Sequence, residues 1–303
     1  MYPHPFRYYR PGSLSEAAGI LTELGDDAKP LAGGQSLIPL MKLRLSAPSA
    51  LVDLNFIPNI SAVERRNGTL HLGAMARHSD IEYSDAAATI PIVHDCAAGI
   101  ADPQVRNRGT IGGSLAEADP NGDWGTVLLT LDTHVHTEGP DGRRSLPLDE
   151  FFLDAYTTKL HPGELIRDVT VKVPGPGSSG AYMGFKRCAS VYSSAGVAVQ
   201  LTLADAHTCA DARIVLGCVG LTAIRATNAE DELRGKAITP QNIEKAAESA
   251  MNECDPQPDM RGSAEYKRVL IRALVKRAAE VALRRAKGEK VEVGHEYAGR
   301  PYA

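Results

Sequence analysis

The chain has 303 residues, 43% of them hydrophobic and 23% charged, which suggests two or three domains with real cores and excludes a mainly disordered chain. Lys and Arg number 33 against 37 Asp and Glu, so the formal charge of −4 gives no general electrostatic reason to hold nucleic acid or an anionic membrane. The five cysteines are odd in number and form no C-x-x-C pair, which argues against a disulfide scaffold and against a four-cysteine zinc or iron–sulfur site.

The opening MYPHPFRYYRPG has two early prolines and no apolar core, unlike a secretory signal, and no stretch approaches the ~18 apolar residues of a membrane span. The expected compartment is the cytoplasm. Ser13 with Glu16 three residues on predicts a capping box. The helix it opens, Leu14 to Leu24, puts Leu14, Ala17, Ala18, Leu21 and Leu24 on one face and ends at Gly25. Lys29 to Ala32 reads as a short strand running into Gly33-Gly34. Leu37 to Leu45 is largely apolar, and Leu51 to Leu54 reads as another short strand. Residues 1–56 are therefore expected to form a small unit of strands and one helix.

Residues 57–176 alternate short strands with turn signals. Ser79 is expected to cap a short helix, and Pro91 to start another that runs between Ile90 and Ile100. Residues 109–114 are glycine-dense and Trp124 to Leu131 is apolar. Thr133 to Thr137 alternates like a strand, and Val169 to Val173 is a period-2 strand closed by Pro174. Pro174 to Gly180 reads as a linker. Beyond it Ala195 to Ala204 and Ala212 to Val219 read as long strands, followed by helical stretches near 227–234, 240–252 and 263–287. That order predicts a separate α+β domain over 181–288, with 289–303 a tail. The last helix carries Lys267, Arg268, Arg272, Lys276, Arg277, Arg284 and Arg285, expected as a solvated face beside an apolar stripe.

Two glycine pairs stand out, Leu31-Ala32-Gly33-Gly34-Gln35-Ser36 and Thr110-Ile111-Gly112-Gly113-Ser114. Each is either a tight turn or half of a phosphate cradle. Glycine permits positive φ, so successive N–H groups can converge on one anion and bind it without Lys or Arg. Asp119 and Asp123, downstream of the second pair, could accept hydrogen bonds from ribose hydroxyls or flavin amides, or could simply cap the turn before Trp124. Gly175, Gly177 and Gly180 fit G-x-G-x-x-G, but a strand pattern follows and leaves no helix N-terminus for a pyrophosphate. No P-loop and no G-x-S-x-G elbow occur, and His134 and His136 share a strand face with no third ligand in range.

The segments Leu31-AGGQSLIPLMKLRL-Ser46, Leu72-Gly-Ala-Met-Ala-Arg-His78 and Ala101-DPQVRNRGTIGGSLAEADPNGD-Trp124 resemble the FAD-binding medium subunit of molybdenum hydroxylases, the family of carbon monoxide dehydrogenase and the xanthine dehydrogenases. The resemblance runs from Phe6 to about Arg285. It implies an α+β chain: a two-subdomain FAD-binding fold of the vanillyl-alcohol-oxidase type over 1–56 and 57–176, then a C-terminal α+β domain. It implies non-covalent FAD, its pyrophosphate held by residues 31–38 (Leu31, Ala32, Gly33, Gly34, Gln35, Ser36, Leu37, Ile38) and 110–114 (Thr110, Ile111, Gly112, Gly113, Ser114). Gly73, Asp119 and Asp123, Leu165 or Ile166, Lys186 and Tyr192 complete the implied cofactor set, with Tyr192 shielding the ring. Many relatives carry a basic pair soon after this Lys, where Ala189-Ser190-Val191 stands here. Gln35 occupies a position where carbon monoxide dehydrogenases carry histidine, which points away from CO as substrate.

The resemblance further implies an oxidoreductase subunit with no catalytic side chain and no metal of its own. A molybdenum cofactor would sit in a large partner and [2Fe–2S] clusters in a small one, in a dimer of heterotrimers. Electrons would pass through the clusters to this FAD and on to an external acceptor. The competing readings are a stand-alone FAD-dependent oxidase or dehydrogenase, and a binding protein whose glycine turns are purely structural.

Overall fold

The Ser13 signal opens the first helix of the computed structural model, which describes residues 2–188, 191–293 and 296–297. The Ser13 hydroxyl accepts from the Glu16 N–H at 3.1 Å, and the helix Leu14–Leu24 follows. The Glu16 carboxylate reaches back to the N–H of Gly12, at 2.7 Å, one residue before the cap. Leu14, Ala17, Ala18 and Leu21 are buried and Leu24 packs beside them. Gly25 ends the helix at φ 58°.

This helix covers a parallel three-stranded sheet in the order Arg7–Tyr9, Ala50–Asp53, Ala28–Leu31. The edge strand Arg7–Tyr9 has no clear alternation and was not anticipated. The apolar segment after Gly34 holds a second helix of the unit, Leu37–Lys42.

The second sheet is antiparallel, in the order Val63–Arg66, Thr69–Gly73, Leu165–Lys172, Thr133–Gly139, Gly142–Pro147. Its inner face, with Leu70, Leu72, Val135, Val169 and Val171, packs against the helices Pro91–Gly99, Ile111–Glu117 and Asp123–Leu128. Trp124, Tyr182 and Phe151 are the largest side chains in that core.

The third sheet runs Ile224–Arg225, Cys209–Gly217, Ala195–Leu203, Ser178–Lys186, Glu296–Tyr297. The helices Pro240–Glu253 and Ala264–Ala286 cover one face. The other face meets the helices of the second unit, so Tyr182 and Ala198 belong to that unit's core. This shared layer brings a C-terminal strand up to the loops of the first two sheets.

The structure corrects three sequence expectations. Ser79 lies inside the helix His78–Glu82, because the Asp80 carboxylate takes the Arg77 N–H at 2.9 Å and starts the helix earlier. The expected linker is strand from Ser178 onward. Gly180 there is a packing requirement, since a Cβ would stand 2.7 Å from the Val199 carbonyl oxygen. Lys267 is buried, bonded to the Gln257 carbonyl at 2.9 Å and to Asp259 at 3.0 Å. Arg285 is buried too, in a bidentate pair with Asp95 at 2.6 and 2.9 Å. The basic helix face is therefore only partly solvated. Ala189, Ser190 and most of the tail expected at 289–303 lie outside the described residues.

Candidate cofactor site

The strand Ala28–Leu31 ends at the first glycine pair and the chain turns into the helix Leu37–Lys42. Gly34 has φ 74°, the left-handed region that favours glycine. The N–H groups of Gly33, Gly34, Gln35, Ser36 and Leu37 are bonded to no described residue. Successive unpaired donors of this kind are what a backbone anion site requires, with no side-chain charge.

The second pair is built differently. Gly112 and Gly113 are not in a turn but in the first turn of the helix Ile111–Glu117, capped by Thr110, and neither has positive φ. The first four N–H groups all have acceptors: the carbonyls of Ala76, Ala74 and Thr110, and the Thr110 hydroxyl. Twin nests were expected, and only the first loop presents free donors. What glycine provides at the second is close approach, since a Cβ at Gly112 would sit 2.6 Å from the Ala74 Cβ.

The two loops pack against each other. A Cβ at Gly33 would stand 2.8 Å from the Gly109 Cα and closer still to the Arg108 carbonyl oxygen. Asn55 donates to the Ala32 carbonyl at 3.0 Å. The Arg77 guanidinium bonds both the Asn55 amide oxygen and the Arg108 carbonyl, so one side chain links the loops from behind.

Between them opens a cleft of about 630 Å³. That lies inside the ~300–1,000 Å³ range of sites that hold a drug- or cofactor-sized ligand. Ala32, Gly33, Gly34, Gln35, Ser36 and Leu37 line it from the first loop, and Thr110, Gly112, Gly113 and Ser114 from the second. Asp119, Asp123, Leu165, Ile166, Lys186 and Tyr192 also line it. Leu31, Ile38, Gly73 and Ile111 do not. Ile111 points into the core, and a Cβ at Gly73 would meet the Ile60 carbonyl at 2.5 Å, so Gly73 serves a backbone crossing behind the cleft. Leu165 and Ile166 open the strand Leu165–Lys172 rather than precede it.

One wall is polar and dry. Asp123 is buried and accepts from the Tyr182 hydroxyl. Burial pushes its carboxyl above the ordinary range, opposed by the Lys186 ammonium. Lys186 is 2% exposed and donates to the Gly99 carbonyl. At the mouth, Asp119 accepts from the Asn121 N–H at 2.9 Å, an Asx turn. Burial and then Asp119 push the Tyr192 phenol up. Burial and Asp119 likewise raise the Glu117 carboxyl.

Several lining residues were not singled out as candidates: His78, Ile100, Ala101, Gly109 and Glu164, of which Ala101 has a φ of 42°. Glu164 gives a pH prediction. Burial alone would raise its pKa, but the Arg144 fork at 2.5 and 2.8 Å, the His161 N–H and the Thr137 hydroxyl outweigh it and hold the carboxyl down to about 2. The folded value lies below the unfolded one, so the stabilisation is complete above about pH 4.5 and is lost as pH falls toward 2. It amounts to roughly 1–2 kcal/mol by linkage once solvent screening of the partly exposed Arg144 is allowed for. Denaturant titrations of wild type and Glu164→Gln should differ by on the order of that amount at pH 7, and the gap should narrow between pH 4.5 and 3. A gap that stays constant over that window would show that the Arg144 pair does not hold Glu164 ionised.

Residues 4–175 match the FAD binding domain in molybdopterin dehydrogenase, and residues 180–282 the CO dehydrogenase flavoprotein C-terminal domain. The chain is 40% identical to the carbon monoxide dehydrogenase medium chain of Hydrogenophaga pseudoflava, over 93% of this chain and 98% of that one. It is also 40% identical to subunit alpha of the 6-hydroxypseudooxynicotine dehydrogenase complex of Paenarthrobacter nicotinovorans, over 97% and 100%. A solved structure of the Hydrogenophaga pseudoflava carbon monoxide dehydrogenase matches with a TM-score of 0.91 at 40% identity, covering 94% of this chain and 99% of that one.

Proposed function

The chain belongs to the FAD-binding medium subunits of the molybdenum hydroxylases, and from that premise we propose that it is the electron-transfer flavoprotein of a heteromeric dehydrogenase. Substrate is oxidised at a molybdenum cofactor in a large partner. Electrons reach this chain through [2Fe–2S] centres of a small partner and leave to an external acceptor. When bound, FAD supplies the two-electron redox chemistry, and the protein binds, orients and shields it.

The observation that carries this reading is the cleft itself. Five unpaired N–H groups at residues 33–37 stand at one part of it, and apolar, acidic and basic groups from two other sheets line the rest. An extended dinucleotide needs such a layout. The N–H groups of Gly33 to Leu37 bind the diphosphate. Gly112 and Gly113 let it approach the second loop, with the Ser114 hydroxyl at hand. Asp119 and Asp123 accept from ribityl hydroxyls or flavin amides. Leu165 and Ile166 give apolar contact, and Lys186 a buried cation. Tyr192, 44% exposed at the mouth, covers the ring. Leu31, Ile38, Gly73 and Ile111 support the loops from behind. We read residues 1–56 and 57–176 as the two halves of the FAD unit and 181–288 as the domain that closes it.

The partners follow from distance. Electron tunnelling into the flavin needs a donor held close, which favours a persistent interface of more than ~1,000 Å². A dimer of heterotrimers in the cytoplasm is the assembly we propose. No helix among the described residues is long and apolar enough to cross a membrane.

Acid precipitation of the purified chain should release the flavin to the supernatant, since backbone donors hold it without a covalent bond. Yellow colour in the pellet would overturn the non-covalent assignment, and a colourless protein the cofactor site. Substrate-dependent dye reduction should need co-expression with the genomic neighbours. Full activity from the solitary chain would favour a stand-alone oxidase.

A further inference from the structure

Asp123 meets the cofactor cleft with one carboxylate oxygen already engaged. Its Oδ1 accepts from the Tyr182 hydroxyl. Its Oδ2 is neither bonded to a described residue nor sealed away from solvent. The residue is 7% exposed and lines the cleft, so the small area it leaves open faces the cofactor's place. A carboxylate held by one oxygen cannot turn freely, and it presents the other as an acceptor.

The fold gives the Tyr182 phenol a fixed seat. Tyr182 is 2% exposed on the strand Ser178–Lys186. Gly184, two residues on and so on the same face, pairs with Gly196 of the neighbouring strand. A Cβ at Gly196 would stand 2.9 Å from the Tyr182 hydroxyl oxygen, and one at Gly184 3.5 Å from it. The three atoms nearest to a Cβ at Gly196 all belong to Tyr182. Two bare α-carbons on adjacent strands thus make room for the phenol, whose hydroxyl ends at Asp123. Burial and Asp123 push the phenol pKa well up, so it keeps its proton and donates. Around Asp123, the Lys186 ammonium favours its charge, while Asp119 and the thiols of Cys96 and Cys218 face it from other segments, with Tyr192 beyond.

We propose that Tyr182 is a positioning residue for the cofactor, holding Asp123 by Oδ1 so that Oδ2 stays a charged acceptor for a hydroxyl or N–H of FAD. The inference rests on the FAD reading above. Burial opposes the charge on Asp123, and Lys186 and the Tyr182 hydroxyl oppose burial. Without the phenol donor the carboxyl takes up a proton at higher pH and is free to turn from the cleft.

The test is flavin-fluorescence titration of the deflavinated full chain with FAD at a series of pH values. Tyr182→Phe should bind FAD about tenfold more weakly at pH 7, the loss of one bond to a charged group. FAD binds the ionised carboxylate, so affinity falls as pH drops through the Asp123 pKa, and in Tyr182→Phe that fall should begin at higher pH than in wild type. Asp123→Asn should itself bind FAD more weakly, and adding Tyr182→Phe to it should change the affinity by less than about twofold. A folded Tyr182→Phe with wild-type affinity overturns the proposal. So does a tenfold loss with the wild-type pH profile, or the same loss in the Asp123→Asn background, because the hydroxyl would then act through packing alone. If Tyr182→Phe shows no cooperative melting, Gly196→Ala decides, since its methyl meets only Tyr182 and displaces the phenol end. Weaker binding with the upward pH shift in that variant supports the proposal, and wild-type affinity overturns it. A wild-type chain that takes up no FAD overturns the functional reading and this inference with it. A wild-type chain that binds FAD beside an equally tight Tyr182→Phe overturns this inference alone.

Discussion

A Gly33→Val chain is expected to purify almost free of flavin while still melting cooperatively. The first atom of any side chain at 33 falls 2.8 Å from the Gly109 Cα and nearer to the Arg108 carbonyl oxygen. Both are backbone, so neither can rotate away, and the loops must part by about 1 Å to restore ordinary contact. Parting them shifts the five unpaired N–H groups relative to the second loop. Loss of two or three charge-assisted hydrogen bonds, at about 1.5–3 kcal/mol each, weakens FAD binding by at least 10²-fold.

The neighbouring glycines should respond less. At Gly34 the obstacle is the end of the Ile38 side chain, which can move, and what remains is the strain of φ 74°. At Gly113 it is the Thr110 hydroxyl at 2.8 Å, which can turn at the expense of one cap bond. The measurement is the ratio of visible flavin absorbance to protein absorbance, beside a thermal melt. Full occupancy in Gly33→Val would remove residues 33–37 from the diphosphate site.

Arg285→Ala should cost about 3–5 kcal/mol of stability, the usual loss when one member of a buried ion pair is removed. The guanidinium holds Asp95 through two bonds, at 2.6 and 2.9 Å, and also donates to the carbonyls of Gly180 at 2.8 Å and Val291 at 2.9 Å. Asp95 lies on the helix Pro91–Gly99, Gly180 on the strand that carries Lys186, and Arg285 on the long last helix. One side chain thus joins three elements, two of them from the C-terminal sheet layer. Without it, Asp95 keeps only the Tyr182 N–H at 3.2 Å and a burial that already raises its pKa.

The melting temperature should fall by roughly 10 °C for a chain of this size. Adding Asp95→Asn to Arg285→Ala should recover part of the loss, because no charge then remains buried. If the double variant is as unstable as the single one, the cost lies in the lost Gly180 and Val291 bonds rather than in the stranded carboxylate. FAD content should fall with stability, since Lys186 reaches the cleft from the same strand and bonds the end of the same helix.

The two glycine pairs were legible as candidates because a dipeptide without Cβ atoms is visible in any sequence. Their difference was not. The donors at 33–37 are free because no acceptor among the described residues lies opposite them, while those at 111 and 112 are taken by the carbonyls of Ala76 and Ala74. An acceptor contributed by another segment leaves no mark on the residue that donates to it.

What the sequence determined by itself was local. The cap at Ser13, the stop at Gly25 and the buried face of Leu14–Leu24 depend on residues within a few positions of one another. So do the largely apolar runs that make Ala195–Leu203 and Cys209–Gly217 long strands. The tertiary structure alone decided which charges are solvated. Lys267 and Arg285 belong to the same basic helix as Arg284, yet they are buried because Asp259 and Asp95 lie where the helix packs. Asp95 and Arg285 are 190 residues apart in the chain, and helical periodicity reports a residue's face but not what covers it. The cleft is decided the same way. Its walls come from all three sheets, and only their packing brings the free N–H groups, the buried Asp123 and Lys186, and the half-exposed Tyr192 to one volume.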